Sequence, residues 1–425
     1  MVTDMKKIMF LIMAAAAALS ITSCDPNESK VSAISVNAVI DESALEEIGI
    51  SAESYTVTFT NANTGLTVTA ESENGIATAT GLTPGLYNIL ANASLAVETN
   101  AYILSGSASN VNLTTDGQEV TIAITATKES ALIFKEIYYA GCTFPSPSAS
   151  DPNATATYFR DQYYEIYNNS SETVYVDGMC IAETIFSDYT FTVRYEYPIE
   201  NADDYVYVQT VWQLPGDGTQ YPVAPGESIV IAQWGTNHKA ESLTKGASPV
   251  DLSGAEFEAV EGESETWDGI VLTDNAAINM VKAVNARGFS IPQWLTSTSG
   301  SQYVIFKPSE PFRTTDFLTA NDDPNSTALE IPISDVIDAV QSVSGPERLN
   351  FLGLPTSLDA GAVWVDEPNG YNGQSISRKI SRTEEDGRVV YQDTNNTSDD
   401  FEVNDTPEVR RNGAGIPAWN TWIQE

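Results

Sequence analysis

Histidine is nearly absent from this 425-residue chain, which has only His238. One imidazole excludes an HExxH motif and any multi-histidine metal site. Basic residues are scarce too: 20 Lys+Arg stand against 58 Asp+Glu, a formal net charge of −38. Such a surface repels phosphate backbones and anionic lipid, which excludes nucleic acid as a partner. The acids are scattered rather than gathered in a run, so no acidic disordered tail is expected. There is no G-x-S-x-G nucleophile elbow. Cysteine is limited to Cys24, Cys142 and Cys180. The apolar stretch from Ile8 to Ile21, about 14 residues, is too short to cross a bilayer as a helix but suits a signal-peptide core.

What is present is β chemistry. Thr, Val, Ile and Tyr recur in short runs separated by Gly, Asn and Pro clusters, which points to an all-β chain. Its length allows two or three domains.

The first thirty residues carry an address. Lys6 and Lys7 precede the apolar stretch, which ends in Ile21-Thr22-Ser23-Cys24. This resembles the bacterial lipobox. The resemblance implies a signal peptide over 1–23, cleavage before Cys24, and acylation of that cysteine. Several acyl chains supply the multiple signals that stable anchoring needs. Cleavage removes Asp4, Lys6 and Lys7 and takes the net charge from −38 to −39. Asp25 follows the anchor directly. In some bacteria that position means inner-membrane retention, while in others nearby acids such as Asp25 and Glu28 resemble a surface-export signal. The expected location is the outer membrane, facing outward, with 24–30 as linker.

Residues 31–128 read as a first sandwich. "VSAISVNAVI" and "SYTVTFTNANTG" alternate polar and apolar, each a strand with one buried face. In "GLTPGLYNI", Pro84 presets a turn and Gly85 is expected to take a positive φ. The Gly81-Leu82-Thr83-Pro84-Gly85…Tyr87 pattern resembles the prealbumin-like sandwich of carboxypeptidase regulatory domains. That resemblance implies a spacer without chemistry.

Residues 129–425 read as a second sandwich. In "YYEIYNNSSETVYVDGMCI" (163–181), Tyr164 and Ile166 share one face while Tyr163, Glu165 and Tyr167 share the other. Glu165 is read as structural and Asp177 as a turn acid. This strand–turn–strand resembles the start of the lamin-tail domain, an immunoglobulin-like sandwich. "VAPGESIVIAQ" (223–233) and "GQSISRKISR…DF…TPEVR" (373–410) resemble later blocks of it, with roughly 190–220 and 235–370 as insertions. "PISDVIDAVQSV" (332–343) has apolar residues at helical spacing and predicts a helix. The whole chain also resembles a family of gut-bacterial lipoproteins of similar length, which supplies no activity.

Candidate sites are few. Cys142 and Cys180, the thiols left after lipidation, favour a disulfide in an oxidising compartment; two buried free thiols are the alternative. "DTNNTSDDF" (393–401) alternates oxygen ligands at Asp393, Asn395, Thr397 and Asp399, as a calcium loop does, but lacks its Gly and its closing Glu. "TANDDPNST" (319–327) is a second acidic turn. The default for both is a solvated loop, so no metal or other cofactor is assigned. All seven Trp lie after residue 200. Trp234 with His238, and Trp419 with Trp422, are the candidate ligand contacts, since aromatics stack on sugars or anchor proteins. No catalytic residue is assigned. The expectation is a non-enzymatic, lipid-anchored envelope protein, binding or adhesive, whose second domain meets a glycan or another envelope protein. The alternatives are a carboxylate-dependent, glycosidase-like hydrolase and an accessory lipoprotein of an outer-membrane uptake system.

Overall fold

Alternating and β-branched runs become strands throughout, and the described chain is nearly all β. The computed structural model describes residues 32–46, 49–97, 100–128, 130–185, 202–261, 266–267, 270–286, 292–312, 317–319 and 327–423. The lipobox and Cys24 lie outside these residues, as does most of the acidic turn at 319–327.

Eight strands between Ile34 and Lys128 form one sheet. Its order is Gln118–Ala123, Ile34–Asp41, Ile76–Leu82, Thr67–Glu73, Thr56–Asn61, Gly85–Val97, Asn100–Leu113 and Thr125–Lys128. The alternation predicted from sequence holds: Ile34, Val36 and Ala38 are buried from one strand, Val57 and Phe59 from another. The sheet folds back on itself to enclose this apolar face. Where it does so, a Cβ on Gly106 would sit 2.1 Å from the carbonyl oxygen of Ala123, so only glycine permits the approach. The glycine with positive φ near the Pro84 turn is Gly81 (φ +79), and Gly85 instead opens the next strand. The register explains this correction. Val36 faces Ala79 while Ile34 faces Leu82, so Thr80 and Gly81 together oppose Ser35 and form a bulge.

The chain after residue 130 builds two seven-stranded sheets. In the first, Tyr163–Asn168 lies between Ser228–Ala232 and Leu132–Tyr138. Ser375–Arg378 and Phe401–Asn404 extend one side, Phe257–Glu258 and Ile278–Asn279 the other. In the second, Cys180–Thr184 lies between Tyr205–Gln213 and Gln302–Phe306, with Val336–Gln341 beyond. The sheets share one core in which Tyr164, Ile166, Ile229 and Ile231 meet Ile181, Trp212, Tyr303 and Ile305. The 235–370 stretch, read as an insertion, therefore supplies five strands of the second sheet and two of the first. Alternate residues of that sheet, Cys180, Ala182, Val304 and Phe306, face a separate apolar cluster with Leu354.

The helix expected over 332–343 is absent. Pro332 ends a strand, Ile333–Asp335 makes a single 3-10 turn, and Val336–Gln341 pairs antiparallel with Gln302–Phe306. The strand wins because Val336, Ile337 and Val340 are β-branched and Asp338 through Gln341 are all buried. A segment covered on both faces carries no reliable period.

Candidate functional site

The outer face of the first sheet carries charge under cover. Glu136 and Glu165 are opposite residues on adjacent strands, and both are fully buried. Like charges so placed repel, and each finds its own cation. Lys135 Nζ donates to Glu165 Oε1 at 2.9 Å, beside Ser228 Oγ at 2.6 Å. Arg411 Nε donates to Glu136 Oε2 at 3.0 Å, and Ser375 Oγ donates to Oε1 at 2.7 Å. Burial lowers the Lys135 pKa, against the opposing pull of Glu165. Farther along the face, Glu256 accepts from Arg410 Nη2, from Asn420 Nδ2 and, at 2.7 Å, from the backbone N–H of Val230. Burial pushes the Glu256 carboxyl up, against Arg410. Three buried carboxylates thus meet three cations. Glu165 is structural, as expected, yet it never meets water.

The cover is the end of the chain. The N–H of Glu408 binds Glu136 and that of Arg410 binds Glu165. Arg410 holds this position in the left-handed region, φ +60, followed by Asn412 (φ +62) and Gly413 (φ +76). A non-glycine residue there costs roughly 1–3 kcal/mol and persists only where its surroundings enforce it. Beyond the bend, Trp419 packs on Tyr221 and Phe257, with ring centroids 5.0 and 5.7 Å apart. Its Nε1 donates to Pro222 O at 2.8 Å, and Trp422 Nε1 donates to Ala255 O at 3.0 Å. Both indoles are half-buried.

Between this tail and the 251–255 loop lies a partly open groove of about 510 Å³. Asp251, Ser253, Gly254, Arg410, Trp422 and Ile423 line it, with Val230 and Leu252 beneath. The N–H and hydroxyl of Ser253 both donate to Asp251 Oδ1, at 3.0 and 2.7 Å. Among the described residues Asp251 Oδ2 has no protein partner, and Asp251 is exposed. The indole is held by its edge, so it offers a stiff apolar surface at low entropic cost.

The other expected contacts lie elsewhere. Trp234 and His238 are in the interior, so the ligand role expected for them does not fit their placement. His238 Nε2 donates to Trp234 O at 2.9 Å, and Nδ1 is 2.8 Å from the Tyr158 hydroxyl. Burial brings the His238 pKa down to about 4, so the ring is neutral. The expected disulfide is replaced by two free, buried thiols. Cys180 faces the outer cluster of the second sheet, whereas Cys142 lies beside Asp161, 3.5 Å from its Oδ2. The calcium-like spacing at 393–399 resolves into protein contacts. Asp393 pairs with Arg378, whose guanidinium also binds Asp338 and Asp400, and Thr397 binds Asp359. Of the four spaced residues, Asp393 is the one that the guanidinium reaches. Asp177 is a turn acid, accepting N–H bonds from Gly218, Gln220 and Tyr221. Burial opposes this, but the donors win and hold its pKa below the usual value. Sequence reasoning missed Asp251 and Arg410. An Asp two residues before Ser is a local turn signal, whereas nothing local marks Arg410.

The family described as a protein of unknown function (DUF4876) matches residues 224–408, which include the 251–255 loop and stop just before Arg410. A crystal structure of a DUF4876 family protein from Bacteroides thetaiotaomicron is 34% identical, with a TM-score of 0.59, covering 91% of this chain and 99% of that one. This chain belongs to the DUF4876 family. Two solved structures from Bacteroides ovatus, each described as a "putative adhesin", are 11% and 8% identical with TM-scores of 0.17 and 0.18. They cover 35% and 82% of this chain and 76% and 99% of their own. Likeness at that level carries no argument. No curated protein matches the chain.

Proposed function

We propose that this DUF4876 protein is a lipid-anchored binding protein of the cell envelope. The second region makes contact with the partner, a glycan or another envelope protein, and the eight-stranded sheet of residues 34–128 is a spacer. The groove beside Trp422 carries this reading, because it joins a fixed indole, an exposed carboxylate and a polar loop in one concavity. That is the composition of a recognition site. The buried carboxylates are neutralised by cations and lie under the tail, so we assign them to holding the groove rather than to proton transfer. The Ile21-Thr22-Ser23-Cys24 sequence supports the anchor. Seven residues, 25–31, lie between Cys24 and the first described residue, 32.

The test is an array of glycans and peptides probed with the intact chain and with Trp422→Ala. Binding by the intact chain that the substitution removes is expected; equal binding by both contradicts the groove. Product formation from any arrayed compound, lost on changing one carboxylate, would replace the binding reading with a hydrolase. Cys24→Ala should abolish fatty-acid labelling and release the protein from membranes.

A further inference from the structure

We infer that the groove receives a cationic side chain, the ammonium or guanidinium of a basic peptide segment on the partner. The inference rests on the groove being the binding site and deepens that reading. It rests on the charge of the lining, the unpartnered carboxylate oxygen of Asp251 and the indole beside it.

Arg410 brings the groove a guanidinium, but that charge is spent on Glu256, which is fully buried and accepts from Nη2. Asp251 adds a carboxylate with no cation of its own among the described residues. The groove therefore carries a net negative charge, on a chain whose formal charge is −38. Asp251 and Ser253 offer it acceptors, while Arg410 Nε keeps a donor without a protein partner. Asp251 Oδ2 has no protein partner among the described residues, and the Ser253 hydroxyl already donates its hydrogen bond to Asp251 Oδ1. The indole N–H of Trp422 is already used by Ala255 O. The acceptors suit a ligand that brings donors, and the net negative charge of the lining disfavours an anion. The indole face decides between a neutral donor and a charged one. A cation over an aromatic ring gains about 0.5–1 kcal/mol at exposed sites, more when desolvated. The adjacent carboxylate adds attraction of the same sign, and the acidic surface steers a basic partner inward.

The probe is a short Gly/Ser peptide bearing two lysines, titrated against the intact chain at low and high salt. Companion probes are the same peptide with glutamines, the same with glutamates, and a neutral polysaccharide. The lysine peptide should bind most tightly and weaken as salt rises. Asp251→Asn should weaken it roughly fivefold, the upper range for a solvent-exposed pair. Trp422→Leu should weaken it by a similar factor, roughly fivefold, through the lost cation–π contact. Asp251→Asn keeps the acceptor for the Ser253 turn, so it reports on charge without loosening the tail. Glu119→Gln, an exposed acid in the first region, is the control and should leave binding unchanged.

Equal losses from Asp251→Asn and Glu119→Gln would reduce the effect to diffuse attraction and overturn the inference. Salt-insensitive binding of the polysaccharide that still needs Trp422 would overturn the cationic class while keeping the groove. Preferential binding of the glutamate peptide would do the same. Binding that ignores both groove substitutions, or no binding by any probe, would remove the groove reading and the inference together.

Discussion

The two halves of the described chain solve burial differently. Between Ile34 and Ile124 the interior is apolar, and the buried polar residues are Asn61, Ser72 and Ser105. After residue 130 the interior holds Lys135, Glu136, Asp161, Glu165, Glu256, Asp338, Asp359 and Arg378. One sheet closed on itself needs only alternation, since its outer face stays in water. The second region covers both faces of its first sheet, with the partner sheet on one side and the chain's end on the other. Its outward-pointing polar residues then have nowhere to go and must be paired in place. Each buried charge is costly alone and tolerable when matched. Those pairs also fix the path of a tail that has little regular structure of its own.

The sharpest break in the comparison is Arg378→Met. Asp338, Asp393 and Asp400 would lose their shared cation, and breaking a buried pair costs roughly 3–5 kcal/mol. All seven Trp lie in this region, so denaturation followed by Trp emission should show the loss directly.

Next comes pH. Burial pushes the Asp359 carboxyl from 3.8 up to about 7 and that of Asp161 up to about 6. The folded state then binds protons that the unfolded chain has released. The second region should therefore gain stability as pH falls from 7 towards 4, and lose it on the way back. His238, depressed from 6.5 to about 4, works the other way between those two values, over most of that window. Asp338, which burial also raises to about 7 against the pull of Arg378, adds to the carboxylates, and together they outweigh His238. Asp359→Asn should remove part of the dependence. The first region, without a buried carboxylate among its described residues, should show little of it.

A smaller change tests the apolar half. Leu104→Ala removes a fully buried side chain from the first core and should cost about 3 kcal/mol. Hydrogen exchange should accelerate in strands of 34–128 while Trp emission of the native protein stays unchanged. The smallest expected effect is none. With Cys142 and Cys180 free and buried, reductant should not shift the melting temperature. Both thiols should react with iodoacetamide only after denaturation, and a shift with reductant would restore the disulfide.

The same contrast governs what the sequence allowed to be read. Strands of the first sheet follow from period-two alternation, and only the placement of one left-handed glycine, Gly81 rather than Gly85, escaped. In the second region Tyr163–Asn168 was legible from its own residues, whereas the burial of Glu165 and its pairing with Lys135 were not. The helix over 332–343 was misread because a strand buried on both faces has no period to reveal. Cys142 and Cys180 were paired on compartment chemistry alone, whereas strand alternation points Cys180 towards a different cluster. Trp422 could be singled out by composition. Arg410 and Asp251 could not, because the groove exists only where a tail residue meets a loop more than 150 positions earlier.

The division of labour itself, binding in the second region and support from the first, is tested most directly by hydrogen exchange of the intact chain. The measurement is made with and without a saturating amount of the two-lysine peptide. Added protection confined to 250–256 and 409–423 is the expected result. Protection in strands between 34 and 128, with those two segments unchanged, would contradict it.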